Sequence, residues 1–119
     1  MTRAKIIKGE HLKTGDTQPD LLVQLIKDSR APKDLSSVSS IELHIKEANS
    51  QTLLIDDDTS GNVSIDAATD GRVSYEWQQS DTETAATLVG EIVVIDSTGE
   101  QSTYPNEGTF NVYIEEGIN

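Results

Sequence analysis

Apolar residues recur at every second position in short runs along most of this chain, and no window sustains a helical period over three turns. The run "SIELHIKE" puts Ile41, Leu43 and Ile45 on one side of an extended chain and Glu42, His44 and Lys46 on the other. "RVSYEW" repeats the pattern with Val73, Tyr75 and Trp77, "TFNVYIEE" with Phe110, Val112 and Ile114, and "NVSID" with Val63 and Ile65. Period two marks a strand with one buried face. "TLLID" is a shorter run. "DLLVQLIK", with Leu21, Val23 and Leu25, and "LVGEIVVID", with Leu88, Ile92 and Val94, are apolar on both faces and are expected to be central strands.

Turn chemistry separates these runs at short intervals: "TGDTQPD", "DSRAPKDLSS", "EANSQ", "DDTSGN", "ATDGR", "QQSDTETA", "DSTGE" and "YPNEG". Glycine supplies positive φ, proline fixes φ, and Asp, Asn and Ser bond back to the local backbone. Asp70-Gly71 between two strands is a hairpin signal, and Ser97-Thr98-Gly99 resembles one. One short helical turn is expected at "SDTETAA", capped by Ser80 or Asp81. About seven to eight short antiparallel strands within 119 residues predict an all-β, immunoglobulin-like β-sandwich. The sandwich is expected over residues 15–119. Residues 1–14 supply a first strand at "AKIIK" or an arm that docks on a partner. The core is expected from Leu21, Val23, Leu25, Ile41, Leu43, Ile45, Val73, Tyr75, Trp77, Leu88, Ile92, Val94, Phe110, Val112 and Ile114.

Composition narrows function by exclusion. The chain has no cysteine, so disulfides, thiolate nucleophiles and cysteine-ligated zinc are impossible. Its net charge of −12 disfavours the phosphate backbone of nucleic acids. An acidic surface serves solubility, and it also suits a high-salt habitat. Six lysines against three arginines run counter to the second. "MTRAKIIKGEHLK" has no long apolar stretch and no small-residue cleavage site, so neither a signal peptide nor a membrane span is expected.

Candidate chemistry is sparse. His11 and His44 have no serine, cysteine or carboxylate at catalytic spacing and are expected on the solvated surface. Asp56, Asp57 and Asp58, with Thr59 and Asn62, are the candidate cation ligands, since calcium takes several oxygens at close range. Their spacing departs from the calcium-loop pattern, and adjacent aspartates on an extended chain point apart, which favours an acidic hairpin tip. "NVS" at 62–64 is a glycosylation sequon overlapping a strand. There is no Gly-rich phosphate loop, no H-E-x-x-H and no G-x-S-x-G. No catalytic residue and no cofactor is expected. Trp77 is the sole tryptophan; its spacing from Val73 and Tyr75 makes it a core anchor rather than a ligand platform. Tyr104 and Tyr113 are the aromatics expected to be exposed.

An ordered set of landmarks adds a family. Gly15-Asp16-Thr17 precedes the apolar run from Leu21 to Ile26, then come Pro32, Asp34, Leu35 and Ser36, then the alternating Ile41, Leu43 and Ile45. Asp66, Asp70, Gly71, Val73, Tyr75 and Trp77 follow, then Asp81-Thr82, then Leu88, Gly90 and Glu91, then Tyr104, Pro105, Asn106 and Gly108. Over about residues 15 to 115 this order resembles the immunoglobulin-like domain of tailed-virus proteins related to the N-terminal domain of phage baseplate upper proteins. The resemblance implies a non-enzymatic virion component of the tail tip, baseplate, neck or capsid surface. Such a component assembles in the host cytoplasm, in multiple copies, with other virion proteins. It also implies that Leu88, Gly90, Ile92 and Val94 face the core and Glu91 faces out. Larger relatives carry C-terminal extensions that build trimers or hold receptor-binding proteins. An end at Asn119, just after the last strand, favours an accessory or adaptor role over a host-adhesion platform. The alternative is a module that binds carbohydrate or the host surface through Tyr104, Tyr113 or Trp77.

Overall fold

The computed structural model describes residues 1–118. Its strands are β1 (Arg3–Lys8), β2 (His11–Lys13), β3 (Leu21–Ile26), β4 (Val38–Glu47), β5 (Ile55–Asp58), β6 (Val63–Ala67), β7 (Arg72–Tyr75), β8 (Ala86–Asp96), β9 (Gln101–Tyr104) and β10 (Phe110–Glu115). They form two packed sheets. One has four strands in the order β1-β3-β7-β6. The other has six, in the order β2-β10-β8-β4-β5, with β9 also pairing β8. The molecule is an immunoglobulin-like β-sandwich, its core built from the inward residues of both sheets.

Two departures from expectation share a cause. There are ten strands among the described residues rather than seven or eight, and one pair, β2 with β10, is parallel. The first and last strands of an eight-stranded sandwich are each broken in two. At the N-terminus β1 pairs with β3 in one sheet, and the chain then crosses to lay β2 beside β10 in the other. Gly9 makes the crossing, with φ +85°, and a Cβ there would lie 2.8 Å from the Asp20 carbonyl oxygen. At the C-terminal end β8 is eleven residues long, and β10 covers its first half while β9 covers its second.

Burial follows the alternation. Leu21, Val23 and Leu25 on β3, Ile41, Leu43 and Ile45 on β4, Val73 and Tyr75 on β7, Leu88, Ile92 and Val94 on β8, and Phe110, Val112 and Ile114 on β10 are all buried, as is Trp77. Leu12, Leu35, Ile55, Val63 and Tyr104 complete the cluster, with Ala4 and Ile6 packed against it. Leu35 is held from a loop, where its N–H donates to the Ala68 carbonyl at 2.9 Å. Two apolar signals were misleading. Leu53 and Leu54 of "TLLID" are exposed, because the strand begins only at Ile55. Ile65 is also exposed, since β6 is an edge strand with a bulge at Ile65/Ala67.

The Asp70-Gly71 hairpin joins β6 to β7 through a single 3₁₀ turn, Ala68–Asp70. Gly71 sits at φ +67°, and a Cβ there would lie 2.7 Å from the carbonyl oxygens of Leu25 and Lys33. Only glycine meets both demands.

Candidate functional site

Among the described residues, no three His, Asp or Glu side chains converge closely enough to hold a metal ion. Polar clusters form on the outer face of the six-stranded sheet and in the segments that link the two sheets.

The register of β4 builds the first cluster. Its outward residues are Glu42, His44 and Lys46. Antiparallel pairing sets Asp58 opposite Glu42 and Asp56 opposite His44 on one side, and Glu91 opposite His44 on the other. His44 Nε2 lies 3.5 Å from Glu42 Oε1 and 3.5 Å from Asp56 Oδ1. His44 is therefore not an isolated surface residue; it sits among the carboxylates of Glu42, Asp56 and Glu91.

The three aspartates do not act together. Asp56 faces outward toward His44, whereas Asp57 points to the opposite face of β5. The Asp57 carboxylate accepts the Asp58 N–H at 2.8 Å and the Asn62 N–H at 3.1 Å. Asp58 Oδ1 accepts the Ser60 N–H at 2.9 Å and the Ser60 hydroxyl. The Ser60 hydroxyl, and then its N–H, hold the Asp58 carboxyl below the ordinary range. These oxygens shape a turn. That turn is not a hairpin tip, because β5 belongs to the six-stranded sheet and β6 to the four-stranded one. It carries the chain between sheets.

The segment around Trp77 is a knot of landmarks. Trp77 is 2% exposed and meets the Tyr75 ring edge-on, with centroids 5.4 Å apart. The Tyr75 hydroxyl donates to Asp81 Oδ2 at 2.6 Å, and the same oxygen accepts the Gln78 N–H at 2.8 Å. Burial, followed by the Asp81 hydrogen bond and charge, pushes the Tyr75 phenol well above its ordinary pKa. The 3₁₀ turn Gln79–Thr82 follows, with Gln78 rather than Ser80 or Asp81 at its N-cap; Asp81 reaches back from inside the turn. Thr82 then ties this end to the start of the domain. Its hydroxyl donates to the Asp16 carbonyl at 2.9 Å, and its own carbonyl accepts the Gly15 N–H at 2.9 Å. Gly15-Asp16 and Asp81-Thr82, far apart in sequence, are bonded to each other.

Of the aromatics expected to be exposed, Tyr104 is buried. It lies opposite Ile92 on β8 and so shares the inward face of the sheet. Reading it as part of the "YPNEG" turn hid that register. Tyr113 is half-buried on the outer face and stacks on His11, with centroids 5.1 Å apart and 20° between planes. The parallel β2–β10 pairing sets these two residues side by side. With Ala86, Thr87, Ile114 and Glu115 they line a shallow depression of about 450 Å³.

No family model matches the chain, and no curated protein matches it significantly. Similar solved structures include CopC from Methylosinus trichosporium OB3b, at TM-score 0.54 and 11% identity, covering 98% of each chain. Another is murine CRIg, at TM-score 0.43 and 12% identity, covering 98% of this chain and 99% of the other. At such identity the likeness to CopC is one of fold, that of the immunoglobulin-like sandwich.

Proposed function

We propose that this chain is a non-enzymatic structural protein of a tailed virus, a small adaptor or accessory module of the tail tip, baseplate, neck or capsid surface. It assembles with other virion proteins in multiple copies, and recognition is its mechanism. One observation carries the reading. The landmarks that resemble the phage baseplate upper-protein domain meet in space, through the Thr82–Asp16 and Gly15–Thr82 bonds and the Tyr75–Asp81 pair beside Trp77. An ordered set whose members bond to one another behaves as a signature of one domain rather than as scattered coincidence. The acidic patch around His44 suits basic or mixed partner surfaces, where charge aids docking more than final affinity.

The test is mass spectrometry of purified virus particles, followed by cryo-EM of the same particles. The chain is expected as a stoichiometric component, with density for a sandwich of 48 × 24 × 23 Å. Its absence from intact particles would end this reading.

The second reading, a module that binds carbohydrate or the host surface, has lost Trp77 and Tyr104 to the core and rests on the Tyr113–His11 stack. A glycan array on the native chain and Tyr113→Ala separates the two, since signal that depends on Tyr113 favours the second reading.

A further inference from the structure

The nine cations of this acidic chain are not spread evenly. Four of them, Arg3, Lys5, Lys8 and Arg72, stand on the outer face of the four-stranded sheet. The register establishes this: Ala4 and Ile6 of β1 pair with the core residues Leu25 and Val23 and face inward, so Arg3, Lys5 and Lys8 face out. Arg72 pairs with Gln24, which itself pairs with Lys5, so the three form one row across the sheet. Among the described residues none of these four cations has a carboxylate within 4 Å. Arg72 Nε is buried with no hydrogen-bond partner. Three acidic residues border this face: Asp66 and, at its rim, Asp20 line a depression with Lys8, and the Asp70 carbonyl accepts the Gln24 side-chain amide at 2.9 Å.

The opposite broad face carries the reverse charge. Glu42, Asp56, Asp58 and Glu91 project from adjacent strands of the six-stranded sheet; Lys46 shares the face but turns its ammonium to the Ser50 carbonyl, and among the described residues His44 is the only basic group paired with any of the four. The molecule thus presents a basic sheet face and an acidic one on opposite sides of a single sandwich. The 48 × 24 Å extent of the sandwich exceeds the roughly 800 Å² per partner of a standard-size interface.

We propose that the basic face of one copy docks on the acidic face of a second copy, in a head-to-tail stack. A contact between two different faces leaves a free face at each end, so it propagates into a ring or a filament. The inference names the surface used in the multi-copy assembly proposed above, and it rests on that reading for its biological setting alone. Charge also dictates a salt signature. Copies of net charge −12 repel at long range, and at about 0.01 M salt, with a Debye length of about 30 Å, that repulsion spans the molecule. At about 0.15 M the screening length shrinks to about 8 Å, which suppresses the long-range repulsion but spares close contacts between faces. At about 1 M the contacts weaken as well.

Sedimentation velocity of the full chain at these three salt concentrations tests the idea. Association is expected to be strongest at the middle one. The variant R3E/K5E/K8E and the variant E42K/D56K/E91K should each associate at least about tenfold more weakly than the native chain. Mixing the two should restore association, because each then offers the complement of the other's altered face. Circular dichroism establishes that both variants are folded, and the neutral K5Q/K8Q should show an intermediate loss. A chain that stays monomeric at all three salts up to about 1 mM overturns the proposal. So does association that survives both charge reversals, or that fails to return on mixing folded variants. Virus particles that contain a chain monomeric in solution would leave the virion reading standing and remove this one.

Discussion

Gly90→Ala is the sharpest test of the core. Gly90 lies mid-strand in β8, paired with Ile45 on β4 and with Phe110 on β10. An added Cβ would sit 2.6 Å from Phe110 Cζ, 3.0 Å from Phe110 Cε1 and 2.9 Å from Ile45 Cγ1. Carbon atoms rest at about 3.5–4.0 Å, so the phenyl ring must shift by about 1 Å. Ile45 is fully buried and Phe110 nearly so, which leaves the ring little room. Overpacking of this kind costs about 1–3 kcal/mol. Replacing glycine inside a strand returns about 0.5–1 kcal/mol of backbone entropy. The expected net loss is about 1–2 kcal/mol, a fall in Tm of about 4–8 °C for a domain of this size. Urea unfolding followed by the fluorescence of Trp77, the one tryptophan, measures it directly. Phe110→Leu makes space at the same spot, so the double variant should lose about 1 kcal/mol less than the two single losses combined. A neutral Gly90→Ala, or strictly additive losses, would refute the claim that the ring lies over this glycine for want of a side chain.

Two further substitutions address the knot around Trp77. Trp77→Ala should cost about 3–5 kcal/mol, whereas Trp77→Phe should stay within about 1 kcal/mol of native. The indole Nε1 is buried without a partner, and deleting an unsatisfied donor offsets the lost ring volume; thermal unfolding by circular dichroism reads both, and equal losses would contradict the second. Tyr75 gives the chain an alkaline weakness. Its pKa is raised in the folded state, so above about pH 10 the unfolded chain releases a proton that the native one keeps, and stability falls as pH rises. The limiting slope is about 1.4 kcal/mol per pH unit, and Tyr75→Phe should remove it. Native and variant stabilities that run parallel from pH 9 to 11 would count against the buried phenol.

Alternation told inside from outside wherever both neighbours of a strand were present. For β3, β4, β7, β8 and β10 the period of two in the sequence coincides with burial in the fold, save that Ile26 and Val93 are buried out of phase. It failed at the edges and breaks. Leu53, Leu54 and Ile65 look like core because hydrophobicity is a local property, but they lie before a strand or on an edge where no neighbour covers them. Tyr104 looks exposed because "YPNEG" is turn chemistry, yet one position of register against Ile92 turns its ring inward. Gly9 looks like an ordinary turn glycine. That it carries the chain from one sheet to the other depends on the Asp20 backbone passing 2.8 Å from where its Cβ would be. His11 is on the surface as its polar surroundings suggest, but its stacking on Tyr113 follows only from the parallel β2–β10 pair. Each miss is a long-range pairing that no local pattern encodes.

Charge shows the same limit in a sharper form. A net of −12 is a sum over the whole surface, and it governs how the molecule behaves at distances beyond a Debye length. A docking partner meets one face at a time. Along the sequence the cations of "RAKIIK" and the lone Arg72 are almost seventy residues apart and look unrelated. Pairing of β1 and β7 on either side of β3 brings them onto one face, while β5 and β8 on either side of β4 gather Asp56, Asp58, Glu42 and Glu91 onto the opposite one. The dipole of the sandwich therefore arises from strand order, which is set by topology and not by composition. Two chains of identical composition and identical alternation, wound in different strand orders, would present different faces to a partner.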